Sequence, residues 1–159
     1  MTSAPIVHPA LARASFERAI LPLLSRPRNF AAAGIKLVTY RFPFLDVELD
    51  WYRHGTTIML RVDGSDFPYR PVDGWWIAPD GRPLAGSDHG IPTNMGFHLS
   101  GIENEPRCWF CFPGWKEYHN HPGHQDRSWS SLRADQRYAV LSLIQQLVTD
   151  LNSQGVQRI

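Results

Sequence analysis

One short segment of this 159-residue chain carries most of the side chains that could do chemistry. It runs from Arg107 to Trp129 and contains both cysteines of the protein and three of its seven histidines. Thiol, imidazole and carboxylate groups are the ligands of a borderline-soft metal such as zinc, and a cysteine beside a histidine is also the pairing that activates a sulfur nucleophile. The segment therefore predicts either a metal site or a reactive thiol.

As a nucleophile, Cys111 is the first candidate, because the Pro113-Gly114 pair that follows it is typical of an exposed tight loop. Cys108 is the rival. A nearby base would lower the thiol pKa or accept a proton, and the side chains available for this role are His119, His121 and Glu117. The residues leave open an alternative in which both cysteines are small buried hydrophobes among the neighbouring aromatic side chains.

As a metal site, the same segment offers a compact set of donors. The candidate zinc ligands are Cys111, Glu117, His119, His121 and His124, with Cys108 as an alternative to Glu117. His119 and His121 point to opposite sides of an extended chain, so both can bind one ion only if the segment coils. A thiolate committed to zinc would be a poorer nucleophile, so the two interpretations compete for Cys111.

Length and charge narrow the class of protein. A chain of this size predicts one domain over residues 1–159, with its core between about residues 9 and 152. The formal net charge of +1 indicates neither a nucleic-acid-binding face nor a polybasic membrane patch, and no apolar run approaches the roughly 18 to 20 residues of a membrane span. We therefore expect a cytoplasmic protein whose partner is another protein or a small ligand.

Two helices frame the chain. Pro9 suits the first turn of an N-terminal helix with a loose apolar stripe, which Pro22 is expected to bend or end. Apolar residues recur at helical spacing from Val140 to Leu151, which predicts a C-terminal helix.

Between the helices, the periodicity changes to that of strands. Residues 35–41 are a β-rich run, residues 45–51 alternate apolar with polar side chains, residues 58–62 alternate again, and residues 75–77 are a further candidate strand. Residues 78–106 are rich in turn formers, which predicts a long crossing over the sheet. An α+β fold with an N-terminal helix, an antiparallel four-stranded meander, a long crossing and a C-terminal helix is expected.

This order of elements resembles the core of the ubiquitin-conjugating (UBC) enzymes, in which the long crossing is the active-site crossing. Residues 66–71, Asp-Phe-Pro-Tyr-Arg-Pro, look like that family's Tyr-Pro-Phe-x-x-Pro segment, and Trp129-Ser130 before the last helix looks like its Trp-Ser-Pro. A cysteine lies between these segments, where the family keeps its thioester-forming cysteine. His98-Leu99-Ser100 stands in place of the family's His-Pro-Asn, so the Asn that supports the oxyanion is replaced by Ser100.

The resemblance implies a UBC-like enzyme that needs no cofactor. It would accept a ubiquitin-like protein from an activating enzyme as a thioester on Cys111 or Cys108, and pass it to a lysine of a target protein. Both partners would be contacted largely through the N-terminal helix and the adjoining strands. The candidate donors to the oxyanion are Ser100, Asn104 and Asn120.

The histidine-rich segment resembles a second family, a group of small bacterial proteins predicted to bind metal through Cys, Glu, His and His and encoded beside ubiquitin-like and activating-enzyme-like proteins. Cys111, Glu117, His119 and either His121 or His124 fit that pattern. This resemblance implies an alternative function, a zinc-binding and catalytically silent adaptor of a bacterial ubiquitin-like pathway. The two resemblances agree if the second family is itself a trimmed conjugating fold.

Overall fold

The computed structural model describes residues 6–102, 104–124 and 127–159. Its helices are α1 (Pro9–Ser25), α2 (Pro27–Ala32), α3 (Lys116–Asn120), α4 (Trp129–Leu132) and α5 (Val140–Leu151), with short 3-10 turns at Tyr52–His54, Pro122–His124 and Gln136–Tyr138. The strands are β1 (Ile35–Arg41), β2 (Phe44–Trp51), β3 (Thr56–Asp63), β4 (Asp73–Ile77), β5 (Pro92–Thr93), β6 (Phe97–His98), β7 (Trp109–Phe110) and β8 (Gln157–Arg158).

The first four strands form one antiparallel sheet in the order β1-β2-β3-β4. The predicted α+β class, the four-stranded meander and the helix at each end of the fold are therefore confirmed. None of the helices in the described part of the chain combines the length and the hydropathy that a membrane span needs.

Alternation along β2 explains why the sheet has one apolar face. The side chains of Leu45, Val47, Leu49 and Trp51 are fully buried in a single core cluster that includes residues of α1 and α5. Burying each large apolar side chain contributes about 1.5–3 kcal/mol, so this face supplies much of the stability. The opposite face is more polar and carries an ion pair between Asp46 and Arg61, with 2.8 Å between Oδ1 and Nε.

Helix α1 does not end at the proline that was expected to bend or end it. Pro22 lies in the last turn, where the only intrahelical hydrogen bond it forgoes is the one to the Arg18 carbonyl, so the helix continues to Ser25. The Arg26 N–H then donates to the Pro22 carbonyl at 2.9 Å, and Pro27 begins α2. A proline this close to a helix end removes too little hydrogen bonding to stop the helix.

The crossing between β4 and α5 is more ordered than its turn-rich sequence predicts. The Leu84 N–H donates to the Trp76 carbonyl at 2.9 Å, and the Cys108 N–H donates to the Leu84 carbonyl at 3.1 Å. Strand β6 pairs with β7, and β5 pairs with β8 at the end of the chain. These hydrogen bonds hold the cysteine-bearing segment beside the edge strand of the main sheet.

Candidate functional site

The site is built around β7 and the residues on either side of it. Phe110 packs into the core against β4, where a Cβ atom placed on Gly74 would lie 2.9 Å from the Phe110 ring. Side chains alternate along an extended chain, so Cys108 shares the inner side with Phe110, while Trp109 and Cys111 lie on the outer side. The two cysteines, three residues apart, therefore have different surroundings.

Cys108 belongs to the core. Its side chain is completely buried, and its Sγ–H donates to the Leu84 carbonyl at 3.0 Å. Burial raises the pKa of this thiol to about 11, because the hydration that a thiolate would lose here outweighs the positive charge of Arg107. At neutral pH Cys108 is a protonated thiol with no access to a protein-sized substrate.

Cys111 is partly exposed and is the cysteine that reaches the surface. Its N–H donates to the Gly96 carbonyl at 2.9 Å, and the Phe112 ring packs against the Cα of Gly96, whose φ of 95° favours glycine. Burial, and then the negative charge of Glu117, raise the pKa of the Cys111 thiol. A reaction at this sulfur therefore needs a proton acceptor.

Glu117 is held in place by a cluster of charges under the site. One Nη of Arg107 lies 3.2 Å from a Glu117 oxygen and 3.3 Å from an Asp73 oxygen, while its Nε donates to Glu105 at 2.6 Å. Burial raises the pKa of Asp73 to about 6, outweighing the positive charges of Arg107 and Lys116. The cluster ties α3 to β4, and the Glu117 carboxylate is near enough to Cys111 for its negative charge to raise the pKa of that thiol.

The charge of Glu117 decides which of its predicted roles is physically possible. A carboxylate disfavours a neighbouring thiolate, so Glu117 cannot activate Cys111 by lowering its pKa. It can accept a proton from the thiol, or from an amine that attacks at the same place. Glu117 therefore suits the part of a general base.

His119 braces the chain through both of its ring nitrogens. The Gly114 N–H donates to Nε2 at 3.0 Å, and Nδ1 lies 3.2 Å from the Arg127 carbonyl, an acceptor to which it must donate. The ring is therefore the neutral Nδ1–H tautomer, and burial lowers its pKa below the ordinary value of 6.5. In this arrangement His119 has no free lone pair for a metal or a proton.

His121 and His124 belong to a row of aromatic rings on the outer side of β7. The His98 ring stacks on Trp109 with 4.3 Å between centroids, and the His121 ring lies 6.3 Å from Trp109 on a nearly parallel plane. His124 stacks on Tyr118 at 4.2 Å, and its ring is 5.1 Å from that of His121. The segment does coil, as metal binding would require, but its imidazoles stack on their neighbours.

The described part of the segment therefore offers donor atoms of the right kind for zinc, but not in a suitable arrangement. Cysteine, glutamate and histidine are suitable ligands, but within residues 6–102, 104–124 and 127–159 no group of three such side chains is arranged to hold a metal ion. Binding at His119 would have to displace its hydrogen bond from Gly114.

The three candidate oxyanion donors differ in their surroundings. Ser100 uses its carbonyl to accept the Trp109 Nε1–H at 2.8 Å, which fixes the backbone there. Asn104, with a φ of 61°, and Asn120, at the end of α3, are exposed. The structure thus brings together Cys111 and Glu117, and separately His121 and His124.

Two features of the site were not predicted from the sequence. One is the Arg107 cluster, which joins Glu105 and Glu117 of the same segment to Asp73, 34 residues away, and so depends on a contact that spacing along the chain does not reveal. The other is a cavity of about 560 Å³ between the segment after Cys111 and helix α5. Its signal in the sequence is a set of bulky rings flanking that helix, namely Phe112, Trp115 and Tyr138.

Comparison of the chain with protein-family models gave no match, and comparison with curated proteins gave none either.

Proposed function

We propose that this protein is a conjugating enzyme for a ubiquitin-like protein, with Cys111 as the thioester-forming nucleophile. The observation that carries the proposal is the position of Cys111, partly exposed on the crossing between β4 and α5, while Cys108 is sealed in the core. The order of α1, the meander, the crossing and α5 supports it, because ubiquitin-conjugating enzymes have the same order.

A contact between the two segments that carry the resemblance adds support. The Trp129 Nε1–H donates to the Pro68 carbonyl at 2.7 Å, although the two residues are 61 positions apart. The Arg133 guanidinium lies over the Tyr69 ring, 5.9 Å from its centroid. The proline-bearing loop after β3 and the tryptophan before α5 therefore form one structural unit beside the crossing.

The chemistry would proceed in two transfers. In the first, Cys111 loses its proton, its sulfur attacks the carbonyl carbon of the carrier's thioester, and the thiolate of the activating enzyme leaves. In the second, a lysine amine of the target attacks the new thioester, forming an amide bond and releasing the Cys111 sulfur. Glu117, whose charge acts on the Cys111 thiol, would take up the proton at each step.

The outer face of α1 fits a partner that is both acidic and apolar. Helix α1 holds two arginines, one of them paired with Glu17 at 2.8 Å, and two more arginines follow at Arg26 and in α2. Leu11 and Leu21 of α1 are 64% and 55% exposed. Exposed apolar side chains among like charges are typical of a protein-binding surface. We assign this face to the activating enzyme.

The test is to load the protein. The wild type is incubated with a bacterial activating-enzyme-like protein, its ubiquitin-like protein and ATP, and a reductant-sensitive adduct is expected. Cys111→Ser should abolish that adduct, and Cys108→Ser, the matched control, should retain it. No adduct in the wild type, or one that survives in the double Cys108→Ser, Cys111→Ser variant, would refute the proposal.

A zinc-binding, catalytically silent adaptor is the second candidate. It is favoured by the closeness of His121 and His124, whose rings are 5.1 Å apart on a segment that also holds Cys111 and Glu117. Elemental analysis of protein purified without an affinity tag separates the two. Stoichiometric zinc, lost together with stability in a His121→Ala, His124→Ala variant, favours the adaptor, whereas metal-free protein with a reactive thiol favours the enzyme.

A further inference from the structure

The cavity of about 560 Å³ lies between α5 and the segment after Cys111. Its lining includes Phe112, Tyr138, Ser142, Leu143, Gln146 and Asp150. Its volume is in the range of known ligand sites, and its floor is apolar with a few polar groups at the rim. The chain thus leaves core side chains accessible beside its candidate nucleophile.

The shape of this groove suits an extended chain better than a compact ligand. Its lining residues on α5 run from Ser142 to Asp150, and a helix rises about 1.5 Å per residue, so this wall is about 12 Å long. An extended peptide rises about 3.3 Å per residue, so three or four residues fit along it.

The charge at one end of the groove indicates what that peptide carries. Asp150 is partly buried in the last turn of α5, where Gln146 donates to it at 3.2 Å, and no Lys, Arg or His in the described part of the chain neutralises it. Burial raises the pKa of its carboxyl group, and the negative end of the helix dipole also opposes its charge. A cation beside Asp150 would relieve both penalties.

The other charged side chain of the lining is already satisfied. Arg137 forms hydrogen bonds to both carboxylate oxygens of Asp135, at 2.8 to 3.3 Å. The unbalanced charge of the groove is therefore the negative one, at Asp150.

We propose that the groove binds a short segment of a partner protein in which a bulky apolar side chain is followed, within two or three residues, by a lysine or arginine. The apolar side chain would lie among Phe112, Tyr138 and Leu143, and the cation would pair with Asp150. This interaction goes beyond the loading of Cys111 and does not require it, since a binding groove can hold its peptide whether or not the sulfur reacts.

The test uses acetyl-Leu-Phe-Gly-Lys-amide as the probe, titrated into isotope-labelled protein while backbone amide shifts are followed by NMR. We expect saturable shifts at residues of α5. Replacing the lysine of the probe by norleucine, or Asp150 by Asn, should each weaken binding about fivefold, the size expected of one partly exposed charge pair. The norleucine peptide should bind equally to the wild type and to Asp150→Asn, because the pair is already absent.

Two variants and one control complete the design. Ser142→Trp, on the rim, should fill the groove and abolish binding while leaving the circular dichroism spectrum unchanged. Glu48→Gln removes one negative charge from β2, away from the groove, and should leave binding unaltered. Unchanged affinity in Asp150→Asn overturns the proposal, and so does a wild type that does not bind. Shifts of α5 that depend on protein concentration alone would assign the groove to a second copy of this chain and overturn it as well.

Discussion

At the scale of single residues, the two cysteine thiols differ in their exposure to solvent and in the groups around them. The sequence alone does not show this difference. Cys108 donates to the Leu84 carbonyl inside the core, and Cys111 sits at the surface beside Glu117. Only a thiolate is strongly nucleophilic, so both reactivity and its pH dependence follow from these surroundings.

We predict that iodoacetamide alkylates Cys111 alone in the folded protein. The rate should be slow near neutral pH and continue to rise with pH above 9.0, the ordinary value for cysteine, because burial and Glu117 raise the pKa of this thiol. Mass spectrometry should show one modification in the wild type, none in Cys111→Ser, and two after unfolding in guanidinium chloride. Equal labelling of Cys108 in the folded state would mean that the core around Leu84 opens readily.

His119 permits a residue-scale test of stability. His119→Phe leaves the Gly114 N–H and the Arg127 carbonyl without their ring partners, which we expect to cost about 1–3 kcal/mol near neutral pH. The folded pKa of His119 lies below 6.5, so the neutral ring stabilises the fold above pH 6.5 and this contribution is lost as pH falls through the folded pKa.

The measurement is urea unfolding of the wild type and the variant at about pH 7.5 and about pH 5. The difference in free energy of unfolding should shrink at the lower pH, as the wild type loses its advantage. His89→Phe, at an exposed histidine, is the control and should change stability little at either pH. A difference that does not depend on pH would show that His119 acts through packing alone.

At the scale of elements, the Arg107 cluster is what joins β4, the crossing and α3. Arg107 contacts Asp73 on β4 and Glu117 on α3, and its guanidinium lies 5.2 Å from the centroid of the Trp75 ring. A buried cation shared by several carboxylates leaves uncompensated charges when it is removed. The position of Glu117 therefore depends on an arginine that itself does no chemistry.

We predict that Arg107→Met lowers the free energy of unfolding by about 3–5 kcal/mol near neutral pH, because it strands buried carboxylates. The pKa of Asp73 is raised from 3.8 to about 6, so the folded state favours its protonated form. The contribution of this group to the free energy of unfolding is therefore full below pH 3.8 and is lost as pH rises through 6. The penalty of Arg107→Met should therefore be smaller at about pH 4.5, and denaturant unfolding at the two pH values measures it.

Asp73→Asn provides the matched second variant. Added to Arg107→Met, it removes one of the stranded charges and should recover part of the lost stability at neutral pH but little in acid. Recovery of the same size at both pH values would show that Asp73 carries no charge in the fold.

An element could be predicted from the sequence where a local pattern of apolar residues determines it, and not where contacts with distant residues do. Strand β2 is predictable because four of its side chains alternate onto one buried face. Helix α5 is predictable because its buried residues recur at helical spacing. Helix α3 has only five residues and no side-chain cap, so it shows no period, and contacts made by Glu117 and His119 support it. The sequence could gather the reactive side chains into one segment but could not choose between Cys108 and Cys111, since burial is a property of the packed chain.

At the scale of the whole molecule, the candidate site lies between the part of the fold with the most strand pairing and the part with the least. Strands β2 and β3 are paired on both edges and carry the centre of the core. The crossing is joined to the edge strand of this sheet by isolated bridges, Ile77 with Pro83 and Val72 with Trp115. Its other pairings are short ladders of two residue pairs outside the main sheet, β6 with β7 and β5 with β8. Cys111 therefore lies on a crossing that packs against a rigid sheet but whose own strand pairings are short enough to open.

The difference in attachment predicts two classes of amide hydrogen exchange. Amides of Val47 and Leu60, on fully buried inner strands, should exchange only through global unfolding, so their rates should rise steeply with added denaturant. The Ile159 N–H donates to the Ile91 carbonyl at 3.0 Å beside the exposed residues of β8, and this short ladder can open without breaking the core. Exchange of the Ile159 amide, followed by NMR, should be faster and nearly independent of dilute denaturant. Equal protection of Ile159 and Leu60 would mean that the crossing and the sheet unfold as one cooperative unit.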